Sequence, residues 1–335
     1  MGFDLSLIWA AIIAFGVMMY VVMDGFDLGI GILFPFVKSD RERDVMMNTV
    51  APVWDGNETW LVLGGAGLYG AFPLAYSVVL SALYLPLILM LLGLIFRGVA
   101  FEFRFKSKPQ TRHIWDKAFI GGSLAATFFQ GVALGAYVDG FEVVDRAFVG
   151  GSLDWFTPFS LFCGLALIAA YALLGCTWLI MKTQGRLQRQ MHDIARPLVF
   201  VVLGVTGAVS IWTPLAHSAI AERWFSMPNI LLLMPVPLLV LLATYALLRA
   251  IARNANYSPF VLTLALIFLG YGGLGISLWP NVIPPSVSIW DAAAPPQSQS
   301  FMLVGALLII PLILIYTAWS YYVFRGKVTE EDGYH

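Results

Sequence analysis

The chain has 335 residues, of which 59% are hydrophobic and 12% are charged, with a formal net charge of −1 and a mean hydropathy of +0.81. Soluble domains average about 25% charged residues, so this chain has too little polar surface to cover a globule of its size in water. The composition therefore excludes a soluble enzyme, a disordered chain and a nucleic-acid-binding protein, and it predicts a polytopic membrane protein.

Apolar runs predict the order of the membrane-spanning helices. A helix crosses the hydrocarbon layer in about 20 apolar residues, and the sequence contains nine runs of that kind. They begin near Leu5, Asn57, Leu74, Phe119, Phe156, Pro197, Pro228, Pro259 and Phe301. The Gly70–Pro73 stretch divides the second run from the third, because a proline after a glycine-rich turn ends one helix and begins the next.

These runs predict an all-α protein with nine transmembrane helices in a single membrane domain. We expect a first four-helix bundle in residues 1–138 and a second, with external loops, in residues 139–300. A peripheral ninth helix and a cytoplasmic tail are expected in residues 301–335.

Basic residues predict which side of the membrane each connection faces. Sixteen of the 19 Lys and Arg residues lie in alternate connections or in the tail. Those segments are Lys38–Arg43, Arg104–Lys117, Lys182–Arg196, Arg249–Arg253 and Arg325–Lys327. Cytoplasmic loops are enriched in Lys and Arg, so we expect a periplasmic N-terminus and a cytoplasmic C-terminus. Termini on opposite sides require an odd number of spans, which agrees with the count from hydropathy.

Four acids lie in or beside the first two predicted spans. Asp24 and Asp27 are three residues apart, as are Asp55 and Glu58, and this spacing puts each pair on one helix face. Antiparallel neighbouring helices would bring the two pairs together in the cytoplasmic half of the membrane. A cluster of desolvated carboxylates binds protons more tightly than exposed acids do. The acids therefore favour a proton-uptake path, in which we expect Asp55 to be most sensitive to substitution and Asp27 second.

Other interpretations of these acids stay open. Acids in such positions also cap helix ends, pair with Arg97 or Arg104, lie at a subunit contact, or bind Na⁺ beside the broken helices of a secondary transporter. Arg97 interrupts an apolar run near the inner end of the third span, where we expect it to snorkel or to pair with Asp27, Asp55 or Asp116. Asp116, at the start of the fourth span, also suits the positive end of a helix dipole.

Histidines and cysteines predict that this chain ligates no haem and no metal. A haem bound between spans takes axial ligands such as His or Met from inside the membrane. His113 and His192 lie in basic connections, His217 lies near an outer span end, and His335 is the last residue. The two cysteines fall inside apolar runs and form neither a disulfide framework nor a CxxC site.

Several motifs carry a resemblance to a known family. They are DGFDLGIG, APVWDGNETWLV, FRGVAFEFR, the Trp115–Asp116 pair, SIWDAAA and IYTAWSYY. With them the chain, from its first span to its tail, resembles subunit II of the cytochrome bd-type quinol oxidases. Its length is similar to that of the shorter, cyanide-insensitive branch.

The resemblance implies a heterodimer in the bacterial inner membrane that oxidises quinol and reduces O₂ to water. Subunit I would carry two b-type haems and one d-type haem. Subunit II would ligate none of them and would supply scaffold and part of a cytoplasmic proton path. A structural quinone or lipid in this chain, and a small single-span third subunit, are left open by the resemblance.

The positions that match the family's motifs fall into two groups. The group implied in the proton path is Asp24, Asp27, Asp55 and Glu58. The group implied in the stability of the haem-containing complex is Trp54, Arg97 and Asp116. A secondary transporter coupled to H⁺ or Na⁺, and a purely structural membrane subunit, are the competing hypotheses.

Overall fold

The computed structural model describes residues 4–329, which form twelve α-helices and two short hairpins. The helices are α1 (Leu5–Leu33), α2 (Asp40–Asn48), α3 (Trp54–Ala71), α4 (Pro73–Lys106), α5 (Arg112–Asp139), α6 (Pro158–Lys182), α7 (Gly185–Ala216), α8 (Ser218–Phe225), α9 (Asn229–Leu233), α10 (Pro235–Ala252), α11 (Ser258–Leu278) and α12 (Pro296–Val323). The hairpins pair β1 (Val143–Val144) with β2 (Ala147–Phe148) and β3 (Asn281–Ile283) with β4 (Val287–Ser288), both antiparallel.

Eight helical segments within residues 4–329 are long and apolar enough to cross a membrane. They comprise α1 with its following 3₁₀ turn, α4, α5, α6, α7, α9 together with α10, α11 and α12. The prediction of an all-α polytopic membrane protein is confirmed. Helix α3 has 18 residues and is not among the eight, so the count of nine spans stays a prediction.

The basic connections gather at one end of the helices. Arg104, at the end of α4, hydrogen-bonds to Asp44 in α2. Gln188 in α7 donates a 2.7 Å hydrogen bond to Asn256, which precedes α11, and Lys327 in the tail donates one of 2.7 Å to the backbone that follows α6. Alternation of basic and non-basic connections along the chain therefore corresponds to two ends of the bundle. Which end faces the cytoplasm stays a prediction.

The opposite end holds the start of α1 and the two hairpins. The Trp290 indole N–H donates a 2.8 Å hydrogen bond to Asp4, and this bond lowers the pKa of that carboxyl below its ordinary value. The Tyr137 hydroxyl donates a 2.7 Å hydrogen bond to the Val282 carbonyl and so ties α5 to β3. The ends of the described chain, residues 4 and 329, therefore lie at opposite ends of the bundle.

Helix α6 lies at the centre of the packing, against α1, α5, α7 and α11. Its contact with α1 needs glycine on both helices: a side chain on Gly29 would collide with the Tyr171 backbone carbonyl, and one on Gly175 would meet the backbone of Gly29. Small residues at this contact let the two helix backbones approach closely. Because α6 packs closely against helices of both predicted bundles, the division at residue 138 stays a prediction.

Several predicted boundaries need correction. Helices α5 and α7 begin at Arg112 and Gly185, seven and twelve residues before the predicted starts at Phe119 and Pro197. Hydropathy detects only the apolar part of a helix, and these two helices extend past it into their basic connections. The segment predicted as a plain basic connection contains α2, which is capped by Ser39 and buries its apolar face.

Candidate functional site

Arg97 forms the centre of a buried charged cluster near the basic end. Its guanidinium lies on α4 with no solvent exposure. The Nη2 group donates a hydrogen bond to Asp24 of α1 and lies 3.6 Å from Asp27 Oδ2. The Nη1 group donates a 2.7 Å hydrogen bond to Glu58 Oε1 of α3. One guanidinium therefore ties together three helices. Of the alternatives expected for Arg97, the ion pair with Asp27 is present, whereas its hydrogen-bond partners Asp24 and Glu58 were not among the expected ones.

Aromatic rings enclose the guanidinium. The Trp54 and Phe101 rings stack with centroids 5.2 Å apart and planes 2° apart, and the Arg97 guanidinium lies 5.4 and 5.5 Å from the two centroids. Gly98 leaves room for Trp54, since a side chain there would come within 3.3 Å of the indole. Trp54 thereby excludes water from one side of the cluster. Because water is excluded there, the electrostatic interactions of Arg97 are stronger.

The three carboxyl groups differ in their access to water. Asp24 and Asp27 are fully buried, whereas the Glu58 side chain is 28% exposed. Fully ionised, the three acids would exceed the one guanidinium by two negative charges in a desolvated space. Unpaired buried charge is costly, so this arrangement favours the binding of a proton. Glu58 is the member of the cluster through which a proton from water can arrive.

Sequence reasoning missed the polar residues around the acids. The Asn57 amide donates hydrogen bonds to Asp27 Oδ2 at 2.8 Å and to the Met23 carbonyl at 3.3 Å, and it accepts one of 2.8 Å from the Tyr321 hydroxyl. Tyr20 lies beside Asp24. Asn57 lies between Asp55 and Glu58 in the motif DGNE. Its hydrogen-bonding side chain was the sequence signal that could have indicated a partner for the buried acids.

Asp55 differs from its expected position. It was predicted to face Asp27, but it lies exposed in the first turn of α3, and Asn57 occupies the position that faces Asp27. The physical reason is the helical phase of α3, which turns Asn57 inward and Asp55 outward. Asp55 remains close enough to Glu58 to interact with it electrostatically.

Asp116 belongs to a second cluster and not to Arg97, as one of the sequence alternatives had it. Its carboxylate accepts hydrogen bonds from Arg104 Nε at 2.5 Å and from Arg43 Nη1 at 2.8 Å. Arg104 also bonds to Asp44, which lies 3.4 Å from Arg112. This second cluster fastens α2 to the ends of α4 and α5. Asp116 lies just beyond the first turn of α5, where the helix dipole acts most strongly, and its hydrogen-bond partners are the two arginines.

The histidines among the described residues lie towards the two ends of the helix bundle. Within residues 4–329 no group of three or more His, Cys, Asp or Glu side chains is arranged to hold a metal ion. His192 lies at the basic end of α7, and His217 lies at the other end, 3.3 Å from Asp139. His335 lies outside the described residues. That haems are held elsewhere stays a prediction.

Comparisons with known proteins agree along nearly the whole chain. The model of the family described as cytochrome bd terminal oxidase subunit II matches residues 5–324. The Escherichia coli (strain K12) cytochrome bd-I ubiquinol oxidase subunit 2 is 31% identical over 98% of this chain and 96% of that protein. The Bacillus subtilis (strain 168) cytochrome bd ubiquinol oxidase subunit 2 is 30% identical over 97% of both.

A solved structure shares the fold. A chain of the bd oxidase from Geobacillus thermodenitrificans superposes with a TM-score of 0.77 at 16% identity, over 96% of this chain and 99% of that one. The apolar helices and the bacterial relatives make this a multi-pass protein of the bacterial inner membrane. The match to subunit II of a terminal oxidase implies that this chain has a partner, subunit I. The chain belongs to the cytochrome bd terminal oxidase subunit II family.

Proposed function

We propose that this chain delivers protons from the cytoplasm within a quinol:O₂ oxidoreductase whose haems are held by subunit I. The observation that carries the proposal is the cluster itself: three carboxyl groups share Arg97, and one of them reaches the surface at the basic end. The relatives named as ubiquinol oxidase subunits support the substrate class.

Glu58 is the proposed proton-loading group. Its side chain is partly exposed, and it shares Arg97 with Asp24 through the two Nη groups of the guanidinium. A proton that arrives at Glu58 weakens its bond to Arg97, and the guanidinium then binds the two buried aspartates more strongly. Arg97 thus keeps the carboxyl groups adjacent without itself giving up a proton, since a guanidinium stays protonated in proteins.

Asp55 has a different proposed role from the buried acids. Because Asp55 is exposed and lies three residues before Glu58 on α3, its charge makes the electrostatic potential beside Glu58 more negative. Such a charge attracts protons and cations from water. We therefore assign Asp55 to proton collection, and Asp24, Asp27 and Glu58 to proton transfer.

The second cluster has an assembly role in this proposal. Arg104 and Asp116 are buried, and their hydrogen bonds to Asp44 and from Arg43 hold α2 against α4 and α5. Oxidation of quinol by subunit I and uptake of protons through this chain on the opposite side would together separate charge across the membrane, so the reaction would generate proton-motive force. The haems would supply the electron transfer, and the residues of this chain would hold and move protons. A structural quinone or lipid, and a small accessory subunit, remain part of the expectation from the resemblance.

Purification of the native complex tests this function. We expect a tagged chain to bring down a second chain with visible haem absorption and quinol-dependent oxygen uptake, whereas a secondary transporter would be colourless. His113→Ala, His192→Ala and His217→Ala are each expected to leave the haem bands unchanged. Loss of a haem band in a stable, assembled histidine variant would contradict the assignment of the haems to subunit I.

A further inference from the structure

Tyr321 connects the last helix to the acid cluster. Most side chains of α12 are exposed, and α12 packs against α1 and α3. Near its end, however, the Tyr321 ring lies among the rings of Phe26 and Trp178, with centroids 6.5 and 6.2 Å away. Its hydroxyl reaches Asn57 across 264 positions of sequence.

The direction of the hydrogen bonds follows from the groups around Asn57. Its Nδ2 lies 2.8 Å from the Asp27 carboxylate and 3.3 Å from the Met23 carbonyl, both of which are acceptors. The reverse orientation of the amide would set its oxygen against two other oxygens. The amide oxygen therefore faces Tyr321, whose hydroxyl donates to it at 2.8 Å.

The tail fixes α12 directly after Tyr321. The buried Lys182 ammonium at the end of α6 donates hydrogen bonds to the carbonyls of Phe324 and Gly326. In return, Lys327 donates one of 2.7 Å to the Thr183 carbonyl. These reciprocal bonds clamp the segment that follows α12 to α6, and they hold Tyr321 at Asn57 although α12 itself is sparsely packed.

We propose that Asn57 and Tyr321 are positioning residues that hold Asp27 in its ionised, proton-accepting form, so that the last helix acts on the proton step. The inference rests on the proposed proton function and deepens it. A hydrogen bond donated to a carboxylate favours its charged form, and Tyr321 strengthens that donor by bonding to the far side of the same amide. An amide gives up no proton readily, so the hydrogen-bonded pair of Asn57 and Tyr321 orients Asp27 and does not itself conduct protons.

Other ionisable groups near Asp27 come from the helices around it. They are Arg97 on α4, Glu58 on α3, Asp24 on α1 and Tyr321 on α12. Two further tyrosines, Tyr20 on α1 and Tyr171 on α6, interact with Asp24. Arg97 also favours the ionised form, whereas Asp24 and Glu58 oppose it. The hydrogen bond from Asn57 is thus one of two stabilising contacts against two repulsive ones, so its loss has a measurable effect.

The pH dependence of oxygen consumption by the whole complex tests the inference. We expect the fall in rate at alkaline pH to move about one pH unit higher in Asn57→Leu, since a hydrogen bond to a charged group is lost. Tyr321→Phe should move it in the same direction and less far, and Tyr322→Phe, at the exposed neighbouring tyrosine, should leave it unchanged. The double variant Asn57→Leu with Tyr321→Phe should match Asn57→Leu alone.

Infrared difference spectra provide a readout that is independent of turnover. The carboxyl band of Asp27, identified by its loss in Asp27→Asn, should shift in Tyr321→Phe and stay in place in Tyr322→Phe. An unmoved band in Tyr321→Phe overturns the inference even if Asn57→Leu fails to assemble. Additive shifts in the double variant overturn it too. A band that moves while the pH dependence of turnover does not would support the contact with Asp27 and refute the proposed proton function.

Discussion

Arg97 on α4 and Asp24 on α1 are both fully buried, and the Arg97 guanidinium donates a hydrogen bond to the Asp24 carboxylate. The same guanidinium binds Glu58 of α3 through its other Nη group. Neither charge has access to water that would compensate for a missing partner. Arg97 therefore has two roles. It holds three helices in register through Asp24 and Glu58, and it keeps carboxyl groups adjacent inside the protein.

Removal of Arg97 should damage assembly. Arg97→Ala leaves buried carboxylates without their cation, and breaking such a pair costs about 3–5 kcal/mol. We expect a several-fold lower yield of haem-containing complex, measured from the absorption spectrum of purified membranes. Arg97→Lys should recover part of the yield, because lysine keeps the charge but lacks the planar fork that reaches two acids at once. Arg253→Ala, at an exposed arginine, is the control. Full yield from Arg97→Ala would contradict the structural role.

Asp116 should affect stability and not proton transfer. Asp116→Asn weakens two hydrogen bonds from arginines, one of them fully buried, at a cost of about 2 kcal/mol. The purified complex should therefore lose its haem absorption at a temperature several degrees lower, with normal turnover in the fraction that remains assembled. Asp40→Asn provides a matched control, since its carboxylate is 66% exposed and 3.9 Å from Arg43. Equal thermal stability of the two variants would refute the role of the second cluster.

Orientation in the membrane can be tested with single cysteines. Cys163 and Cys176 are buried, so the thiol reagent should label these native cysteines only weakly. Gln297→Cys lies in the exposed first turn of α12 and should react with a membrane-impermeant thiol reagent in cells whose outer membrane is opened. Arg189→Cys lies at the basic end and should react only after the cells are lysed. A tag after His335, outside the described residues, should be cytoplasmic. The reverse labelling pattern would invert the topology.

Glu58 and Asp55 should differ in their effect on turnover. Glu58→Gln removes the proposed proton-loading group, and we expect oxygen consumption to fall about tenfold or more. Asp55→Asn removes an exposed charge and should slow turnover less, with a loss that disappears at high salt. Glu102→Gln, at a partly exposed acid paired with Lys106 at the same end, should leave the rate unchanged. A larger loss in Asp55→Asn than in Glu58→Gln would restore the order expected from sequence.

Local sequence patterns predicted the apolar helices and the convergence of three of the four acids, Asp24, Asp27 and Glu58. Hydropathy reports burial in lipid directly, and spacing of three residues puts Asp24 and Asp27 on one helix face. The placement of basic residues at one end of the bundle likewise follows from their positions in the sequence, because alternate connections carry them.

Contacts between distant segments were beyond these patterns. Tyr321 and Asn57 meet because α12 returns to α1 and α3, and nothing in either local sequence records this. The partner of Asp116 depends on α2, a nine-residue helix whose alternating charges hid it among basic loop residues. Asp55 was misplaced because spacing gives the relative positions of residues on a helix but not the rotation of that helix towards its neighbours.

Proton uptake by the reconstituted complex tests the central claim most directly. Proteoliposomes that contain the wild-type complex or Asp27→Asn, with a pH-sensitive dye on the basic-end side, report protons taken up per electron during oxygen reduction. The account predicts normal haem bands, slow oxygen consumption and impaired uptake from that side in Asp27→Asn. Wild-type turnover and wild-type proton uptake in a fully assembled Asp27→Asn complex would contradict it.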